Sequence, residues 1–248
     1  MKACNSGNNC YLSSWPFFFG MHQAEEIFMH IPDGFLSNSI NLATLGLSGI
    51  TLAWSLKKAK QEITDREIPL IGVTAAFIFA AQMINFPVAG GTSGHFLGAA
   101  LAAILLGPWI SFILMALVLV LQCLGFADGG LTALGSNLLN MGLIGGIGVF
   151  YLFRLVQVLT PKTNRGFLLA SAIASWFSVV LASLACAVEL ALSGTSPAQI
   201  VIPTMVGFHA LIGIGEALIT TAILSAVLAA RADLIRSWGG PQSVLKNA

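Results

Sequence analysis

Pro108-Trp-Ile-Ser-Phe-Ile-Leu-Met-Ala-Leu-Val-Leu-Val-Leu-Gln-Cys-Leu124 carries no charge from end to end. A run of this length and apolarity approaches the ~20 residues that a helix needs to cross the ~30 Å hydrocarbon core of a bilayer. Six comparable segments surround it: Ser37–Leu56, Ile68–Phe86, Gly94–Leu106, Thr132–Phe153, Gly166–Leu192 and Ile200–Ala230. Of the 248 residues, 56% are hydrophobic and 8% charged, against about 25% charged in a soluble domain. The expected fold is all-α, a polytopic membrane protein of about seven transmembrane helices. Gly94–Leu106 is too short to cross alone and reads as a tilted or partial span covered by its neighbours. Gly107-Pro108 breaks it from the next helix, with Pro108 at a first helical position.

Basic residues set the expected orientation. Lys57, Lys58, Lys60 and Arg66 lie between segments one and two; Arg154, Lys162 and Arg165 between five and six; Arg231, Arg236 and Lys246 after seven. The alternate connections, 85–93, 125–131 and 193–199, hold no Lys or Arg. Seven passes with the N-terminus outside and the C-terminus cytoplasmic put every basic cluster in the cytoplasm. The organisation expected is an extension over 1–28, a membrane-embedded domain over 29–235 and a cytoplasmic tail over 236–248. Residues 1–28 have neither the basic start nor the long apolar run of a signal peptide. Met29 is the expected functional start.

That start carries chemistry. Residues 29–34 read Met-His-Ile-Pro-Asp-Gly. If Met29 is the terminus, its α-amine, the backbone nitrogen of His30 and the His30 Nδ1 close two fused chelate rings around one ion. Planar nitrogen donors suit Ni(II) and Cu(II), with Co(II) behind. The predicted topology places the 85–93 loop on the same face, and that loop runs into His95. Pro87 and the glycines at 90, 91 and 94 let the loop fold over an ion, and Thr92 or Ser93 is a candidate cap for the helix carrying His95. His95, taken alone, also fits a helix-terminal histidine bonded to backbone. Pro32-Asp33-Gly34 is a turn sequence that bends the tip back over the protein. Asp33 either orients a ligand or caps the first helix.

Other polar groups at membrane depth are fewer. His209 and Glu216, seven apart, share an inward helix face, either near the metal or as a structural hydrogen-bonded pair. Asn137 and Asn140 serve either as glue between helices or at the site. Glu189 is expected to reach solvent. Gly142 and Gly146 suggest close helix contacts, within the protein or with another subunit. No thiolate zinc site is indicated, since Cys4, Cys10, Cys123 and Cys186 show no CxxC spacing. No P-loop GxxxxGK[ST], HExxH or GxSxG occurs, so the chain has no ATPase motif of its own and an enzyme is not expected. A net charge of +1 gives nothing for nucleic acid to recognise.

At Met29–Phe35, Gly90–Leu106, Gly135–Gly146 and His209–Thr220 the chain resembles the CbiM/NikM family, the substrate-binding components of energy-coupling-factor transporters for cobalt and nickel. The likeness covers essentially all of residues 29–230. It implies metal ligation by the Met29 amine, the His30 amide nitrogen and imidazole, and His95; the role of His209 stays open. It implies a transported Ni(II) or Co(II) ion and no cofactor. The partners implied are a transmembrane coupling subunit, two cytoplasmic ATPases and a small accessory membrane subunit, in the lipid of a prokaryotic plasma (inner) membrane. In the family the Met-His pair is the terminus, whereas here residues 1–28 precede it. Two other readings are a stand-alone secondary transporter for a small organic solute, with His209, Glu216 and Asn140 lining its path, and a membrane metal sensor.

Overall fold

The computed structural model describes residues 30–65, 67–84, 86–88 and 92–238. The 1–28 extension, Met29, Arg66 and Lys246 lie outside these residues, as do most of the expected C-terminal tail and the side chain of Ser93. Among the described residues seven helices make a bundle: α1 (Asn38–Glu62), α2 (Ile68–Gln82), α3 (Ala99–Leu106), α4 (Pro108–Phe126), α5 (Leu134–Leu159), α6 (Asn164–Leu192) and α7 (Ala198–Arg231). A two-stranded antiparallel hairpin, β1 (Phe86–Val88) with β2 (Thr92–Gly94), joins α2 to the approach to α3. Five helices (α1, α4, α5, α6 and α7 with its short extension) are long and apolar enough to cross a membrane. The chain is a polytopic membrane protein.

Its packing has the polarity expected in lipid, where tails are as apolar as leucine and helices meet through small and polar groups. α1 buries Thr44, Ser48, Ser55 and Ala59 and turns Leu42, Ile50 and Trp54 outward. Thr44 shares a 2.7 Å hydrogen bond with Ser136, and Ser48 Oγ donates to the Gly135 carbonyl at 2.7 Å. A Cβ on Gly135 would stand 2.5 Å from Leu45 Cα, so only glycine lets the two backbones approach this closely. The middle of α5, Leu139–Gly148, is π-helical, a winding often found at functional sites. Ser178 of α6 donates to the Gly145 carbonyl there at 2.6 Å. Gly142 packs on Phe112 and Leu138, and Gly146 on Ser111; these glycines make contacts inside the chain.

The third segment is more broken than its apolarity suggested. Only Ala99–Leu106 is helical, and every one of its eight residues is buried; at about 12 Å it cannot cross a bilayer. Residues 95–98 precede it without regular structure. The helix starts at Gly98 (φ 75°) with no side-chain cap, so neither Thr92 nor Ser93 caps it: both belong to β2. Gly107, at φ 91°, ends α3 before Pro108 opens α4.

The bundle has two distinct ends. His30, the residues just before α1 and Asp128 just after α4 mark one. At the other, Arg236 donates to Glu62 at the close of α1, and its backbone N–H bonds to the Leu105 carbonyl. Arg154, Arg236 and Glu62 line one cavity there with Gly107 and Trp109. From His95 to Leu106, four non-helical and eight helical residues, at most roughly 25 Å long, carry the chain from the first end toward the second.

Candidate metal centre

The tip before α1 is docked along its backbone. Ile31 N–H donates to Asn137 Oδ1 at 2.8 Å, and Asn137 Nδ2 donates back to the Ile31 carbonyl at 3.1 Å. The same carbonyl accepts from Gly130 N–H at 2.9 Å. Asp33 Oδ1 accepts from the Thr132 backbone N–H and hydroxyl at 2.7 and 2.6 Å. These bonds hold the Asp33 carboxyl below the usual carboxylate range, the hydroxyl bond contributing most. Asp33 therefore fastens the tip to the α4–α5 loop, while the cap of α1 is Ser37, whose side chain accepts from Ile40 N–H. Ile31 and Leu36 pack into an apolar cluster with Ala133, Cys186, Leu190, Val201 and Met205. The tip is thus wedged between the α4–α5 loop and the adjoining ends of α6 and α7.

This docking buries His30, which is 3% exposed. Its Nδ1 stands 3.0 Å from Asp128 Oδ1. Burial raises the Asp128 carboxyl, but the hydrogen bond and charge of His30 outweigh it and leave the group below its ordinary value. An ionised carboxylate only accepts, so His30 Nδ1 donates to Asp128, and Nε2 has no hydrogen-bond partner among the described residues. A chelate through Nδ1 would exchange Asp128 for an ion.

His95 arrives from the other side, 5% exposed. Its Nδ1 donates to the Phe96 carbonyl at 3.0 Å, which again leaves Nε2 bare. A metal-binding histidine usually has its second nitrogen held in this way. The two rings lie with centroids 4.9 Å apart and planes tilted by 52°. Neither Nε2 has a hydrogen-bond partner among the described residues.

The remaining polar groups separate into roles. His209 is fully buried, with Nδ1 donating to the Met205 carbonyl at 2.7 Å and Nε2 unpartnered among the described residues. Glu216 bonds to the backbone N–H groups of Leu97 and Gly98 at 2.7 and 2.8 Å; it holds the His95 loop and not His209. Asn137 holds the tip. Asn140 Nδ2 donates to Glu189 Oε2 at 2.8 Å, so Glu189, 7% exposed, lies inside the bundle and does not reach solvent as expected. Ser93 sits in β2 opposite Pro87.

Among the described residues no three His, Cys, Asp or Glu side chains come together as a metal cage. The described side chains bring two imidazoles together. Two contributors escaped the sequence reading. Asp128 is the acidic residue of the 125–131 loop, and only its Asp-Gly-Gly turn hinted at a role. Gln82 donates to the Leu97 carbonyl at 2.7 Å and accepts from Gln122 at 2.9 Å; a lone amide inside an apolar helix gave no sign of its partner.

Comparison with known proteins places the fold. A protein of Archaeoglobus fulgidus, provisionally named a fused nickel transport protein, is 41% identical over 216 residues, covering 86% of this chain and 70% of its own. One of Haloquadratum walsbyi, provisionally named a metal transport protein, is 41% identical over 213 residues, covering 84% and 93%. A solved structure of a truncated transition metal transporter superposes with a TM-score of 0.74 at 33% identity, covering 81% of this chain and 98% of that one. Residues 30–234 match the family described as "Cobalt uptake substrate-specific transmembrane region", and the chain belongs to that family.

Proposed function

We propose that this protein captures Ni(II) or Co(II) for uptake, as the substrate-binding membrane subunit of an ATP-driven transporter of the energy-coupling-factor type. The observation that carries the reading is the pair of buried imidazoles, His30 and His95, with ring centroids 4.9 Å apart: His95 Nε2 is unpartnered among the described residues, and His30 Nδ1 is held 3.0 Å from Asp128, which an ion would replace. The Met29 amine, the His30 amide nitrogen and imidazole, and His95 form the donor set. The amine must be free, so the working chain begins at Met29. A planar set of nitrogens leans toward nickel, and relatives carry nickel or cobalt in their names.

The membrane is the plasma (inner) membrane of a prokaryote. Basic residues gather at the end opposite the histidines, so that end faces the cytoplasm and the site opens outward. ATP hydrolysis comes from two cytoplasmic subunits acting through a transmembrane coupling subunit, with a small accessory membrane subunit beside them. Titration of Ni(II) into purified protein beginning at Met29 tests the reading. Tight one-to-one binding, lost when the amine is acetylated, is expected; equal affinity in the acetylated protein would reject the chelate.

A further inference from the structure

Residues 95–98 pose a problem that the rest of the bundle does not. They lie outside any helix or strand, yet His95, Phe96, Leu97 and Gly98 are all buried. Buried backbone groups without partners are costly, and in lipid irregular backbone survives only where protein satisfies it. Here the partners are side chains. Both oxygens of Glu216 accept, Oε2 from Leu97 N–H at 2.7 Å and Oε1 from Gly98 N–H at 2.8 Å. Gln82 Nε2 donates to the Leu97 carbonyl at 2.7 Å. Gly98 O accepts from Ala102 N–H as α3 begins. Glu216 is itself 2% exposed.

A carboxylate astride two successive N–H groups fixes the direction of the backbone as well as its place, through charge-assisted bonds. Gly98 adds no slack: a Cβ there would stand 2.8 Å from Ile78 and 3.0 Å from Phe96. Phe96 also packs edge-on against Phe77, centroids 5.7 Å apart. The Phe96 carbonyl that orients the His95 ring lies in the peptide unit whose N–H Glu216 takes. One peptide plane thus links Glu216 to the His95 imidazole.

We infer that Glu216 is the positioning residue of the metal site: by gripping the Leu97 and Gly98 amides from α7, it aims His95 Nε2 at the ion. The inference rests on His95 being a ligand, as proposed above. It also ties the site to the last helix. α3 is fastened to the stretch after α7 at its far end, where Arg236 N–H bonds to the Leu105 carbonyl and Ser237 Oγ to the Ile104 carbonyl at 2.6 Å. α3 is thus tied to α7 and the stretch after it at both of its ends.

The test uses the full chain beginning at Met29 and the Glu216→Gln variant. A glutamine amide accepts one N–H and turns a donor toward the other, with nearly unchanged volume. Two measurements are made. Without metal, hydrogen exchange should accelerate in the peptide covering 95–98 and stay unchanged over 30–36. With Ni(II), affinity should fall about 10–100-fold, the usual range for a partner behind a ligand, with a shift of the nickel d–d absorption. Ser237→Ala, which removes one of the two far bonds and leaves the Glu216 grip intact, should keep wild-type affinity. Adding Glu216→Gln to His95→Ala should cause no further loss, and Gln82→Met offers a second route to the same loop should Glu216→Gln fold poorly. Unchanged exchange over 95–98, or an unchanged affinity and spectrum, overturns the inference. A wild-type chain that binds no nickel or cobalt sinks the underlying metal reading instead, and the metal-free exchange still decides what Glu216 holds.

Discussion

The His30 and His95 rings stand 4.9 Å apart although one is carried by the tip before α1 and the other by the loop before α3. Each ring has one nitrogen engaged and the other without a partner among the described residues. His30→Ala and His95→Ala should each lower nickel affinity at least about 100-fold, beyond the range typical of outer partners. Helix content and the melting temperature in detergent should change little. Calorimetric titration checks the first expectation and circular dichroism the second; wild-type affinity in either variant would remove that ring from the site.

Gly130 should tolerate no side chain. A Cβ there would lie 2.4 Å from the Asp33 nitrogen and 2.6 Å from the Pro32 carbonyl carbon, both backbone atoms that cannot step aside. Gly130→Ala should therefore push the tip off the α4–α5 loop, at about 1–3 kcal/mol for overpacking. Faster hydrogen exchange over 30–36, together with weaker nickel binding, is the expected result.

Asn137→Leu removes both hydrogen bonds to Ile31 and leaves a buried N–H without its acceptor, a loss of about 1–3 kcal/mol. The Ile31 carbonyl keeps Gly130 as a donor. Nickel affinity should fall while the helical bundle stays intact, as read by calorimetry and far-UV circular dichroism. Asn137→Asp should share the defect in part, because an ionised carboxylate still accepts from Ile31 N–H but donates nothing.

Acid should separate docking of the tip from metal binding. Thr132 lowers the Asp33 carboxyl in the folded chain. A lowered folded value means that the contribution is fully present above the unfolded value, ~3.9, and is lost as pH falls through the lower folded one. Exchange protection over 30–36 should hold from pH 7 to about 4.5. Nickel affinity should fall steeply across that same range, because amine, amide and imidazole must each shed a proton to bind. Parallel loss of protection and affinity between pH 7 and 5 would place the acid-sensitive step in the docking.

Much of the architecture was readable because membrane helices advertise themselves by unbroken apolar runs. Ile200–Ala230 fell within two residues of α7 at either end, and Gly107-Pro108 marked the break between α3 and α4. The second and third segments read too long, because Met83, Ile84 and Phe86, and likewise Phe96 and Leu97, continue the apolar runs of the helices they adjoin. Apolarity does not report that residues 95–98 leave the helix to bring a histidine to the site. His30 and His95 could be paired in advance because topology set them on one face. Asp128, Glu216 and Gln82 could not be assigned so readily: their partners lie 98, 118 or 119, and 15 residues away, and a lone polar residue in an apolar run says only that some partner exists. Glu189 misled for the same reason, since nearness to a helix end looked like access to water while Asn140 waited inside.

X-ray absorption at the nickel edge, on the loaded protein beginning at Met29, tests the central claim most directly. The account predicts an all-nitrogen first shell of planar type, with outer scattering from two imidazole rings that drops to one in either His30→Ala or His95→Ala. An oxygen-rich octahedral shell, or a wild-type spectrum with no imidazole scattering, would contradict it.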